Sequence, residues 1–289
     1  MQYSIPSSID EAVALLSGTP GAAHVLAGGT DLVVQMTAGL RKPDIVVDIK
    51  RIPALTAITQ DDAGFHIGAA VCGAEINEHS DLKAAWPGVC EGIDLIGSMQ
   101  VQSKATPAGN LCNGSPAADS VPALIAAGAT VEIIGPDGRR VVPVEEIPTG
   151  PGRTSLAKGE VITLIHLPAR PAIAGDAYVR FTPRTEMDIA VVGVGVNIEL
   201  DDSGTCTHAR VAVGAVAPTA RLVPDAGAAL IGTKLDDAAL DSAAEAVRAA
   251  CNPIDDKRSS AAYRIRIAGT IFKRAAAKAL SRAQTKGTA

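Results

Sequence analysis

The sequence predicts an α+β fold in two parts: an N-terminal region of two α/β subdomains, followed by a smaller α+β domain with an antiparallel sheet and C-terminal helices. Three observations carry this. Short helical and strand patterns alternate as far as a Pro/Gly-punctuated stretch at Pro168, Pro171 and Gly175, the best linker in the chain. Beyond it, two long apolar runs on either side of an Asp-Asp-Ser-Gly turn precede two Ala-rich helices. With 289 residues, 47% of them hydrophobic, the chain is long enough to divide its core between domains. The expected boundaries are 1–170, with subdomains of about 1–54 and 55–170, and 171–289.

The elements follow in order. Ser7 or Ser8 caps a first helix in which Ile9, Val13 and Leu16 recur at helical spacing before Gly18. A strand at 24–27 runs straight into Gly28-Gly29-Thr30-Asp31, and a helix is expected over 32–40. The Ile/Val-rich run 44–49 reads as a buried strand. After Pro53, residues 55–58 and 65–67 form a hairpin, helices follow at 73–79 and 82–96, and the Gly/Ser/Asn/Pro-rich stretch 97–116 reads as irregular. A helix at 119–127 precedes two strands, 131–134 and 140–144, joined by Pro136-Asp137-Gly138. Residues 149–157 read as loop and 161–167 as a strand. In the last part, strands are expected at 178–181, 190–200 and 207–215, and helices at 236–250 and 260–282. In the final helix Tyr263, Ile267 and Ile271 share the buried face, and Arg264, Arg266, Lys273, Arg274, Lys278 and Arg282 form either a solvated face or a docking site for a partner.

Composition excludes several functions. A net charge of -5 provides no broad basic field for phosphate backbones, and three Phe, three Tyr and one Trp provide few stacking platforms, so nucleic acid is not an expected partner. Five scattered cysteines with no Cys-x-x-Cys argue against a disulfide framework, a zinc site or an iron–sulfur cluster held by this chain. The N-terminus carries no basic-then-apolar leader, and no apolar run approaches a membrane span, so the expectation is a soluble cytoplasmic protein. The histidines never reach metal-ligand spacing, and no Gly-x-Ser-x-Gly marks a hydrolase. No catalytic residue and no metal ligand is therefore expected on the chain.

Two glycine-bearing turns remain. Neither has the spacing of a dinucleotide fingerprint or a P-loop. The first, Ala27-Gly28-Gly29-Thr30-Asp31-Leu32, lies between a strand and a helix, where missing β-carbons let successive N–H groups approach an anion such as a pyrophosphate. The second is Thr106-Pro107-Ala108-Gly109-Asn110-Leu111, followed by Asn113-Gly114-Ser115-Pro116-Ala117-Ala118-Asp119. Asp119 either accepts from a ribose or ring hydroxyl or caps its own helix. Asp188, in Glu186-Met187-Asp188, either contacts the first domain or caps the strand that follows.

These two turns, with the run from Ile96 to Leu111 that includes the second, resemble the FAD-binding (medium) subunit of the xanthine dehydrogenase and carbon monoxide dehydrogenase family of molybdenum hydroxylases. The resemblance extends to the segment Glu160 to Pro168 and to the segment Arg180 to Ala190, in the same order, and so covers nearly the whole chain. It implies a p-cresol methylhydroxylase-type FAD-binding domain followed by a C-terminal domain of the CO dehydrogenase flavoprotein type. It implies non-covalent FAD, with Val25, Leu26, Ala27, Gly28, Gly29, Thr30, Asp31 and Leu32 as a first pyrophosphate segment and Thr106, Pro107, Ala108, Gly109 and Asn110 as a second. Asp119 is implied on the adenosine or ribityl side, Ile96 and Ile162 in apolar contact with the flavin, and Arg180 close to its ring system, where a cation stabilises reduced, anionic flavin. Pro107 and Ala108 depart from the family's commoner Thr-Ile/Val-Gly-Gly-Asn: Pro107 has no N–H, and Ala108 demands a negative φ or strain.

The implied function is electron transfer in a heteromeric oxidoreductase. A large subunit would carry the molybdenum–pterin cofactor and a small one two [2Fe–2S] clusters, as a dimer of heterotrimers, with FAD passing electrons to an external acceptor. Two alternatives stand beside it: a self-contained flavin-dependent oxidase or reductase on the same fold, and a cofactor-free binding protein.

Overall fold

The computed structural model describes residues 1–185 and 187–287; Glu186 and the last two residues lie outside the described residues. Its first unit is a three-stranded parallel sheet of β1 (Gln2–Ser4), β2 (Ala23–Leu26) and β3 (Ile45–Asp48) in the order β1-β3-β2. Helix α1 (Ile9–Gly18) links β1 to β2, and α2 (Leu32–Thr37) links β2 to β3. The central strand β3 is buried at all four positions: Ile45, Val46 and Val47 form the apolar run expected of a central parallel strand, and Asp48 ends it paired with Lys50. At the start of α1, Ser8 accepts from the Glu11 amide at 3.2 Å while Glu11 reaches back to the Ser7 amide at 2.7 Å. Helix α2 ends earlier than expected, at Thr37, before Gly39 turns the chain with a φ of +73°.

The second unit begins with the hairpin β4 (Ile58–Asp61) and β5 (Gly64–Gly68) and runs through six short helices. These are α3 (Gly73–Glu78), α4 (Ser80–Ala85), α5 (Pro87–Asp94), α6 (Met99–Gln102), α7 (Pro107–Cys112) and α8 (Ser120–Ala126). Strands β6 (Thr130–Gly135) and β7 (Gly138–Pro143), the small ribbon β8 (Pro148–Gly150) and β9 (Arg153–Thr154), and β10 (Val161–Pro168) complete it. The main sheet is antiparallel, in the order β4-β5-β10-β6-β7. Several expectations change here. The single helix over 82–96 is broken at Trp86, whose φ of −124° and ψ of 60° lie outside the helical region, because the ring of Pro87 disfavours helical geometry in the residue before it. The stretch 97–116, read as irregular, contains α6 and α7, and residues 149–157 contain the ribbon β8–β9 rather than loop alone.

The third unit is an antiparallel sheet of β11 (Ala174–Phe181), β12 (Val192–Leu200), β13 (Cys206–Gly214) and β14 (Arg221–Leu222), in that order, with α9 (Pro224–Ala228), α10 (Asp237–Ala249) and α11 (Ala261–Gly287). The alternation Val192-Gly-Val-Gly-Val196 explains how it is covered on both faces. Val192, Val194 and Val196 are buried in a core shared with Ala268, Phe272 and Ala275 of α11. Gly195 points the other way, and a β-carbon there would overlap the Pro122 carbonyl of α8, with its carbon at 2.9 Å. Gly175, read as part of the linker, is instead inside β11, where its missing side chain lets the Ala279 carbonyl of α11 touch the strand.

On α11 the buried row is Arg264, Ala268, Ile271, Phe272, Ala275, Ala279 and Ala283; Tyr263 and Ile267 are only half-buried at its edge. Small Ala side chains let the helix lie close to the sheet, which moves the stripe by one residue from its expected place. The basic residues are not a uniform solvated face either. Arg264 is buried and donates to the carbonyls of Val191 at 2.7 Å and Ala215 at 3.1 Å, Lys273 pairs with Asp241, and Lys278 and Arg282 both pair with Glu91 of α5. No helix among the described residues is long and apolar enough to cross a membrane.

Candidate cofactor site

Strand β2 delivers the chain to the turn 27–31, and α2 starts directly after it. Here the first two units enclose a cavity of about 340 Å³, within the roughly 300–1,000 Å³ typical of small-molecule sites. The two glycine-bearing turns meet along it. A β-carbon on Gly28 would overlap the Lys104 carbonyl oxygen and come within 2.8 Å of the Ala105 Cα, so only glycine allows the first turn to lie against the chain entering α7. Gly29 has a φ of +77°, the left-handed geometry that turns the next amides toward one side. Among the described residues no protein acceptor is paired with the N–H groups of Gly28, Gly29, Thr30, Asp31 or Leu32.

The opposite wall is the start of α7. Thr106 is its N-cap, accepting from the Gly109 amide at 2.9 Å. Pro107 occupies the first helical position, where an N–H has no intrahelical partner to lose. Ala108 follows inside the helix and is not among the residues with positive φ, which are Met187, Ala215 and Leu235 outside glycine. The departures at 107 and 108 are thus accommodated without strain, by a helical turn. A set of unpaired main-chain donors beside a glycine contact that admits no β-carbon fits a diphosphate, and the residues present therefore fit FAD.

Of the expected residues, Val25, Ala27, Gly28, Gly29, Thr30, Asp31, Leu32, Ile96, Thr106, Ala108, Gly109, Asn110 and Ile162 line the cavity. Ile162 does so on β10, where the pairing register with β6 slips just beyond it. Leu26, Pro107, Asp119 and Arg180 do not line it. Asp119 sits at the N-cap position of α8 but makes no side-chain cap bond. Its carboxylate takes Arg180 at 2.7 Å and the Tyr178 hydroxyl at 2.8 Å instead. Burial pushes this carboxyl up to about 6, against the opposing pull of Arg180 and Tyr178. Asp188 accepts from the amides of Arg184 at 3.2 Å and Ile189 at 2.8 Å, holding its own turn.

Other residues of the wall carried no motif. His24 lines it, with Nδ1 buried and unpaired; burial, then the nearby Arg41 charge, lowers its pKa. Gln35 of α2 donates to Asn113, just past α7, at 2.9 Å, a tie between the two walls. Glu160 closes one side while bound to Arg140 by two contacts of 2.7 and 2.8 Å.

Comparison with known proteins agrees with this geometry. Residues 1–170 match the family model described as the FAD binding domain in molybdopterin dehydrogenase, and residues 177–279 the CO dehydrogenase flavoprotein C-terminal domain. The chain is 34% identical to the carbon monoxide dehydrogenase medium chain of Hydrogenophaga pseudoflava, over 95% of each chain. It is 30% identical to the xanthine dehydrogenase FAD-binding subunit of Escherichia coli O157:H7, over 98% of this chain and 97% of the relative. It superposes on a solved structure of reconstituted CO dehydrogenase from Oligotropha carboxidovorans with a TM-score of 0.94, 33% identity and 98% coverage of both chains. The chain therefore belongs to the family of FAD-binding medium subunits of the xanthine dehydrogenase and carbon monoxide dehydrogenase oxidoreductases.

Proposed function

We propose that the chain is the FAD-carrying electron-transfer subunit of a heteromeric molybdenum hydroxylase. The observation that carries this reading is the meeting of Gly28 with the chain entering α7 beside five main-chain amides without a protein acceptor. Residues 25–32 and 106–110 would hold the diphosphate, and Ile96 and Ile162 the apolar part of the flavin. Bound FAD supplies the exchange of single electrons on one side and electron pairs on the other. The chain's own residues bind and orient the cofactor: the amides would donate hydrogen bonds to the diphosphate, and the aliphatic wall excludes water. Asp119 and Arg180 sit outside the cavity and act from behind it.

The assignment of the first 170 residues to cofactor binding, divided near residue 54, and of 171–289 to a C-terminal domain fits the three larger sheets and the two hydrophobic cores among the described residues. Partners in this reading are a large subunit with the molybdenum–pterin cofactor and a small [2Fe–2S] subunit, arranged as a dimer of heterotrimers in the cytoplasm. The relatives' names as medium chains and FAD-binding subunits support the partners. The test is native purification with flavin, iron and molybdenum measured together. One FAD per chain, with both metals in accompanying subunits, is the expected result. Flavin-free protein that takes up no added FAD, or a flavoprotein fully active as a single chain, overturns the reading.

A further inference from the structure

Residues Asp176, Tyr178 and Arg180 alternate along β11 and so share one face of the sheet. That face meets α5 and α8. Asp176 binds Arg170 at 2.6 Å and accepts from the Val89 amide at 3.1 Å, at the start of α5. Arg180 lies at the other end of α5, where one nitrogen, Nη1, donates to Asp119 at 2.7 Å and to the Leu95 carbonyl at 3.1 Å. Leu95 is the C-cap of α5, a place where a cation complements the helix dipole, and the next residue, Ile96, lines the cavity. The same short segment is held from its other side by Gln102, which donates to the Asp94 carbonyl at 2.5 Å.

We propose that Arg180 is a positioning residue: anchored by Asp119, it clamps the Leu95 carbonyl and so sets where Ile96 stands in the cavity wall. The C-terminal sheet thereby shapes a site to which it contributes no lining residue. This inference rests on the flavin reading of the cavity. It differs from a plain domain-joining ion pair in one respect: its effect reaches the flavin through Ile96.

The experiment uses natively purified protein with any subunits that accompany it. Circular dichroism in the visible flavin band reports the asymmetry around the ring, and FAD titration of the deflavinated protein reports affinity. Arg180→Met is expected to change the flavin band and weaken FAD about tenfold. Arg170→Met breaks an equally buried pair on the same row but touches no part of the cavity wall, and is expected to leave both signals as in wild type. Ile96→Ala also weakens FAD, and combined with Arg180→Met it adds less than the sum of the two.

A wild-type flavin band in Arg180→Met, an equal change in Arg170→Met, or full additivity with Ile96→Ala overturns the proposal. Removing Arg180 alone strands a buried carboxyl, so if that variant does not fold, Arg180→Met with Asp119→Asn replaces the pair by neutral groups and is read the same way. Wild-type protein that binds no FAD sinks the cofactor reading, and this inference with it, before any variant is compared.

Discussion

The Ser120 hydroxyl donates to the Asn110 side-chain oxygen at 2.7 Å, tying the first residue of α8 to the fourth of α7. With its oxygen engaged, the Asn110 amide presents its NH₂ group elsewhere, and the residue lines the cavity. The orientation of a cavity donor thus depends on a serine that does not itself reach the cavity.

Ser120→Ala is expected to cost about 1 kcal/mol of stability and to weaken FAD by a few-fold, because the amide is left free to turn. Urea unfolding and FAD titration check the two effects. Unchanged affinity with reduced stability would show that Asn110 does not contact the cofactor.

Gly28→Ala places a methyl group against the main chain of Lys104 and Ala105, which cannot yield as a side chain tip can. The cost is about 2 kcal/mol of stability, together with loss of most bound flavin as the turns separate. The flavin-to-protein absorbance ratio and the denaturation midpoint measure this. Normal flavin content in the variant refutes the close approach as a requirement for binding.

Gly29→Trp differs in kind. The left-handed geometry costs about 1–2 kcal/mol for a residue with a β-carbon, and that atom would meet Leu26 Cδ1 at 2.8 Å. Flavin retention is expected to be lost while far-ultraviolet circular dichroism stays close to wild type. Gly29→Asn, small and tolerant of positive φ, should retain more FAD than the Trp variant.

Acid sensitivity follows from Glu91. Burial pushes its carboxyl up, but hydrogen bonds from Arg282 and Lys278 and from the Tyr178 amide outweigh that and hold it below its ordinary value. A depressed folded-state pKa contributes stability that is present above the unfolded value of about 4.3 and is lost as pH falls through the folded one. Glu91→Gln should therefore be less stable than wild type at pH 7, by about 1 kcal/mol after allowance for solvent screening. Below about pH 4 the difference should shrink. Chemical denaturation at several pH values tests this, and a difference that does not vary with pH discounts the clasp between α5 and α11.

Much of this architecture was legible in the residues. The cap at Ser8, the Pro-Asp-Gly hairpin and the paired turns at 28 and 108 each depend on local chemistry, and the structure has them where the sequence put them. What escaped was decided by distant contacts. Gly175 reads as linker because nothing in its neighbours announces that Ala279, about a hundred residues later in the chain, will press against it. Residues 97–116 read as irregular because Gly, Ser, Asn and Pro dominate them, yet packing around the cavity stabilises two short helices there. At the site, the glycines and Thr106 were marked by motif, whereas His24, Gln35 and Glu160 are ordinary polar residues that acquire meaning only from the wall they share. The placement of Asp119 and Arg180 outside that wall has the same origin, since each is the other's partner, one at the start of α8 and the other on β11.

The two-sided covering of the sheet β11–β13 bears on how the molecule is made. On the ribosome, α5 and α8 emerge well before the strands that cover them, and translation of the remaining residues takes on the order of ten seconds. Until Arg180 and Gly195 are made, Asp119 lacks its basic partner and the face of α8 that receives Gly195 stays wet; Glu91 waits for Arg282, almost to the end of the chain. The seam between α5, α8 and the C-terminal sheet is thus among the last surfaces of the molecule to close, well after every residue of the cavity wall has been made.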